Sequence, residues 1–204
     1  MNPIDTTVFK FREKQTAANK LELDVNYEYL LYVGRFAKNK GIEQILQVFK
    51  KLNSNDTNLK IILIGDGPLL DQIKNFIKEN HLENDVILPG RLTHEITCYY
   101  YNISSILLNV GMSGGLANVI IEAIASKLPI IATNIGASKD YVGKKFNNGI
   151  LINPINELEL EKAIIGIIEN RKKYTNLNEN ILKKFTFQFF GDTLKQTYME
   201  LLNK

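Results

Sequence analysis

Three short stretches hold residue types suited to a phosphorylated ligand. Gly34-Arg35 is followed shortly by Lys40-Gly41. An arginine fork and a lysine point charge can clamp a diphosphate, although two solvated surface cations in a lysine-rich chain would look the same. Gly65-Asp66-Gly67-Pro68 allows a tight turn and close approach of a ligand to the backbone. A plain turn would look the same, and the spacing is neither that of a Walker loop nor of a dinucleotide fingerprint. The third stretch runs through Met112, Ser113, Gly114, Gly115, Leu116, Ala117 and Asn118. Its paired glycines free the backbone to expose N–H groups, and a helix beginning near Asn118 adds the positive end of its dipole. Together these make an anion site fit for a pyrophosphate. Glu122 follows one helical turn later among Val119, Ile120, Ile121, Ala123 and Ile124. It either lies on a solvent face or binds ligand hydroxyls, because burying a lone carboxylate is costly.

Other chemistries find little support. The two histidines are His81, at a helix end that favours a cation, and His94, expected to be exposed. With a single Cys98 they offer no transition-metal ligand set. No Ser-His-Asp or Cys-His arrangement is evident, and Asp66, Asp140 and Glu122 form no acid–base pair. From the residues alone, the chain reads as a phosphate- or nucleotide-binding domain.

Those stretches need strands and helices to position them. YLLYV at 29–33 is a continuous apolar run ending at a glycine, as expected of a strand buried on both faces. Ile42, Ile45, Leu46, Val48 and Phe49 then repeat at helical spacing. The alternation continues: strands over 60–64, 85–88, 105–109, 129–133 and 149–152, and helices over 68–80, 93–102, 118–126 and 137–142. From 156 onward the chain reads as helical, with breaks near Asn176 and Thr186. Residues 1–27 read as a polar linker or arm, with local order around 8–11, and 28–204 as the domain proper. The expected fold is α/β, a Rossmann-like doubly wound parallel sheet of about six strands with a helical C-terminal extension. Ligands of such sheets sit beyond the carboxyl ends of the strands, where all three glycine-bearing stretches fall.

Composition sets outer limits. With 204 residues, 45% hydrophobic and 23% charged, the chain is ordinary globular material. A net charge of +3 is too weak to suggest nucleic acid. No apolar run is long enough to span a membrane, the N-terminus lacks a signal-peptide core, and peripheral membrane contact is left open. The lone cysteine suggests a reducing, cytoplasmic compartment.

Five ordered pieces are similar to one family: YVGRFAKNKGIEQIL at 32–46, LIGDGPL at 63–69, VILPG at 86–90, SGGLANVIIEAIASKLPIIAT at 113–133 and NNGILINP at 147–154. The chain resembles the C-terminal domain of glycosyltransferase family 4, retaining enzymes of the two-domain GT-B fold. NPIDTTVF at 2–9 is similar to that family's interdomain linker.

The resemblance implies transfer of a sugar from a nucleoside-diphosphate sugar to an acceptor hydroxyl, with no metal or other cofactor. Arg35 and Lys40 would hold the diphosphate and stabilise the leaving nucleotide as its charge develops. Gly34 would belong to the same loop, and Gly67 would lie near the phosphates. Gly90, Arg91 and Leu92 would border the nucleobase. Backbone N–H groups around Leu116, Ala117, Asn118 and Val119 would meet the pyrophosphate, with Ser113, Gly114 and Gly115 in the same donor-binding loop. Glu122 matches the second glutamate of a paired motif and would bond the ribose hydroxyls. Two departures stand out. The motif's first glutamate, which contacts the donor sugar, is replaced by Gly114. The family's N-terminal, acceptor-binding domain has no counterpart here, so the chain is expected to be inactive alone and to need that domain in cis or in trans. The alternative is a module that kept the fold and lost the chemistry.

Overall fold

The computed structural model describes residues 3–54, 58–112, 118–175 and 180–202. The elements run α1 (Lys14–Leu21), β1 (Glu28–Val33), α2 (Ile42–Asn53), β2 (Leu59–Ile64), α3 (Leu70–Glu79), β3 (Val86–Gly90), α4 (His94–Ile103), β4 (Ile106–Asn109), α5 (Asn118–Ala125), β5 (Ile130–Thr133), β6 (Gly149–Ile152), α6 (Glu157–Glu169), α7 (Asn180–Lys183) and α8 (Phe187–Leu202). The expected helix over 137–142 is a short 3-10 turn at Gly136–Asp140.

The strands form one parallel sheet in the order β3-β2-β1-β4-β5-β6. Side chains alternate across it as the two-residue period of a strand requires. Leu30, Tyr32, Ile61, Leu63, Ile106 and Leu108 join one apolar cluster, with Ile45 and Phe49 of α2, Ile73 of α3 and Ile164 of α6. Tyr29, Leu31, Ile62, Ile64, Leu107 and Ile130 join the other, with Ala18 of α1, Tyr101 of α4 and Ile124 of α5. Both faces are therefore covered, which is why these strands read as unbroken apolar runs. The chain leaves β1 in one direction and returns beside it at β4. The loops after these two strands flank the switch point of the sheet, the usual ligand crevice.

The N-terminal segment departs from the expected arm. Residues 3–27 fold onto the domain. Ala17 and Ala18 are buried on α1, Phe9 is 3% exposed, and the Ile4 N–H donates to the Phe185 carbonyl at 2.8 Å. Its buried apolar residues are too scattered to show a period, so the segment reads as polar. At the other end, α8 stands clear of the core, with Phe187, Leu194, Tyr198 and Leu201 all exposed.

Candidate nucleotide site

At the carboxyl edge, successive loops are laced together by backbone hydrogen bonds. The Gly34 N–H donates to the Ile64 carbonyl, Phe36 N–H to Asp66, and Gly65 N–H to Gly90, each at 2.9 Å. Leu69 N–H returns to the Phe36 carbonyl at 3.1 Å. On the other side, Met112 N–H donates to the Asn39 carbonyl at 2.9 Å, and Thr133 Oγ1 donates to the Gly111 carbonyl at 2.6 Å. The loop over 34–41 is thus held between the loops after β2 and β4. Its glycine spacing follows from that confinement. A Cβ on Gly65 would fall 1.9 Å from the Gly34 carbonyl oxygen, and one on Gly41 would fall 2.6 Å from the Val110 carbonyl oxygen. Phe36, fully buried, anchors the loop from below, and Tyr32 Oη donates to the Arg35 carbonyl at 2.9 Å. Arg35 itself is exposed and Lys40 half-buried, so both cations sit on a stiff rim accessible to solvent.

Two clefts flank this rim. One, of about 370 Å³, is lined by Phe36, Gly65, Asp66, Leu88, Gly90 and Arg91. Within it, Asp66 Oδ1 accepts from the Gly67 N–H at 2.7 Å. The other, of about 170 Å³, is lined by Ile4, Asp5, Phe9, His94, Asn118, Glu122 and Phe187. The sequence-predicted residues are therefore divided. Gly90 and Arg91 belong to the first cleft, and Asn118 and Glu122 to the second. Gly34, Arg35, Lys40 and Gly67 belong to the loops between them. Leu92 and Val119 are half-buried and pack against the second apolar cluster. Ser113, Gly114, Gly115, Leu116 and Ala117 lie outside the described residues.

Glu122 settles one open alternative. It is 9% exposed and does not lie on a solvent face. Its Oε2 accepts a 2.6 Å hydrogen bond from Tyr101 Oη. Burial pushes the Glu122 carboxyl above its ordinary pKa, opposed by the Tyr101 bond and the nearby His94. Burial likewise holds the Tyr101 phenol well above its ordinary value, with the Glu122 charge adding to the effect. His94 is exposed, as expected, but it lines the Glu122 cleft and its ring meets Phe9 edge-on at 5.4 Å. Phe36, Tyr101 and the wall formed by Ile4, Phe9 and Phe187 were not singled out from sequence. Tyr101 lies two helical turns after His94, and that spacing was the available signal.

The comparisons bear on this arrangement. The family model for glycosyl transferases group 1 matches residues 13–184. An uncharacterised glycosyltransferase of Methanocaldococcus jannaschii is 31% identical over 179 residues, covering 86% of this chain and 49% of that protein. The chain spans about half the length of the curated relatives it matches. Among solved structures, sucrose-phosphate synthase from Thermosynechococcus elongatus superimposes with a TM-score of 0.84 at 22% identity, covering 99% of this chain and 52% of that one. Anabaena HepE in complex with UDP and glucose gives a TM-score of 0.79 at 21% identity, covering 100% of this chain and 55% of that one. The Rossmann-like sheet with its glycine-bearing carboxyl edge is one half of a GT-B fold, and the chain belongs to the group 1 glycosyl transferases.

Proposed function

We propose that this chain is the donor-binding half of a retaining glycosyltransferase of family 4, which moves a sugar from a nucleoside-diphosphate sugar to an acceptor hydroxyl. The observation that carries the reading is the rim itself: Arg35 and Lys40 on a stiff loop beside the switch point, between a cleft holding Gly90 and Arg91 and a cleft holding Glu122. In this reading the nucleotide lies along the carboxyl edge, with its ribose between the base and the diphosphate that Arg35 and Lys40 hold. Arg35 and Lys40 neutralise the charge that builds on the leaving nucleotide, so the step needs no metal. The base lies toward the loop of Gly90, Arg91 and Leu92, and Glu122 bonds the ribose hydroxyls. Backbone N–H groups around Leu116 to Val119 meet the pyrophosphate. The complex of Anabaena HepE with UDP and glucose makes UDP the first nucleotide to try.

The acceptor side belongs to a second, N-terminal GT-B domain, in cis or in trans, and the chain alone is inactive. The length of the relatives supports this, as does the exposed apolar side of α8, with Leu194, Tyr198 and Leu201 open to solvent. Among the described residues no helix is long and apolar enough to cross a membrane. We place the reaction in the cytoplasm, with any membrane contact peripheral. Gly114 favours the second reading, a nucleotide-binding module without transfer activity. Calorimetry of the chain with UDP and GDP tests the donor reading. Measurable binding that weakens in Arg35→Ala and Lys40→Ala is expected, and no heat with either nucleotide would overturn it. Sugar transfer by the isolated chain would overturn the claim of inactivity.

A further inference from the structure

A carboxylate offers about four acceptor sites, and one held by a single partner can turn about its side-chain bonds. Among the described residues, the Glu122 side chain has one hydrogen-bond partner, Tyr101, and the pair is enclosed: Tyr101 is 1% exposed and Glu122 9%. Tyr101 comes from α4, inside the core, while Glu122 borders the cleft beside His94 and Asn118. Oε2 is therefore turned inward, toward the phenol, and the rest of the carboxylate is left to the cleft. We propose that Tyr101 is the positioning residue for Glu122, pinning one carboxylate oxygen so that the other meets a ribose hydroxyl at a fixed place. The inference rests on the donor reading of Glu122.

The phenol also acts on the charge of its partner. Burial favours the protonated Glu122, and the Tyr101 bond opposes burial. Tyr101 keeps its own proton near neutral pH, because burial raises a pKa whose ordinary value is already 10.0, and so it donates to the carboxylate. Around Glu122 the other titratable groups are His94, which favours the carboxylate, and Asp5, which lines the same cleft. Burial already outweighs the phenol, and without the phenol the carboxyl takes up a proton at still higher pH. A protonated acid still has acceptor capacity, but it loses the charge-assisted bonds that hold sugar hydroxyls most tightly.

The test uses the full chain, with UDP and 2′,3′-dideoxy-UDP as probes, from acid to neutral pH. The wild type should prefer UDP by about tenfold. Tyr101→Phe should lose most of that preference through weaker UDP binding, keep its affinity for the dideoxy nucleotide, and lose UDP binding at a higher pH than the wild type. An equal loss for both nucleotides, or an unmoved pH profile, would overturn the positioning role. A wild type that binds both nucleotides equally would remove Glu122 from the ribose site, and a wild type that binds neither would overturn the donor reading with it. If Tyr101→Phe does not fold, the buried, hydrogen-bonded Tyr101 hydroxyl proton of the wild type gives a second readout by NMR. Saturating UDP should shift its resonance and the dideoxy nucleotide should not; a resonance unmoved by UDP would contradict the proposal.

Discussion

Gly41 couples the stability of this fold to its nucleotide site. It stands at the entry to α2 with φ 72° and ψ 14°, next to Lys40. Replacing it with alanine acts in two ways. An L side chain in the left-handed region costs about 1 kcal/mol. The new Cβ would also lie 2.6 Å from the Val110 carbonyl oxygen and 2.9 Å from Val110 Cγ2, where ordinary contact begins at 3.4 Å. Val110 is buried immediately after β4, so the loop over 34–41 must give way. Overpacking of this kind costs about 1–3 kcal/mol. The expected total is about 2–4 kcal/mol, or a fall in Tm of roughly 5–15 °C for a domain of this size. Because the loop over 34–41 must shift, UDP affinity should fall about tenfold as well. Gly166, inside α6, is the control: a Cβ there meets nothing within 4 Å. Gly166→Ala should raise stability by about 0.5–1 kcal/mol and leave nucleotide binding unchanged. Differential scanning calorimetry and titration calorimetry on the two variants read both effects. A Gly41→Ala variant that melts with the wild type and binds UDP normally would refute the confinement of the loop.

Three further outcomes follow from the same geometry. Arg35→Ala and Lys40→Ala should each weaken UDP and GDP alike by about 10- to 100-fold, the worth of a charge-assisted contact to a phosphate; a loss confined to one base would place these residues elsewhere. Phe36→Ala should cost about 3–5 kcal/mol in urea unfolding, since Phe36 is fully buried beneath the rim, and a near-neutral result would contradict its anchoring role. Glu122→Gln should stabilise the unliganded chain at neutral pH. The folded carboxyl has a pKa raised above 4.5, so the penalty for ionising it is absent below 4.5 and grows as pH rises through the folded value. Urea unfolding of both proteins at acid and neutral pH should show the difference appear only at the higher pH, and an equal difference at both would exclude this cause.

The legible parts of the sequence are those set by local pattern. The run at 29–33 announced a strand because both its faces are buried, and Ile42, Ile45, Leu46, Val48 and Phe49 announced a helix because they share its buried face. The placement of Arg35 and Lys40 near the carboxyl edge followed from that alternation. Other features depend on residues distant in sequence. Tyr101 and Glu122 are 21 positions apart on two helices, and no periodicity links them. Gly65 reads as a turn residue, yet its lack of a side chain is required by the Gly34 carbonyl beside it. Ile4 and Phe9 wall the Glu122 cleft, but they are single apolar residues in a polar stretch and gave no signal before packing was known. Leu92 lies on the path expected for the base, but it packs inward instead of lining the cleft beside Arg91.

Amide chemical-shift mapping with UDP tests the central claim most directly, because it reports where a nucleotide binds as well as whether it does. The account predicts perturbations along the carboxyl edge, at Gly34, Arg35, Lys40, Gly90, Arg91, Asn118 and Glu122, with the amino ends of the strands around Ser105 and Lys127 unchanged. Shifts confined to that amino edge, or none at saturating UDP, would contradict it.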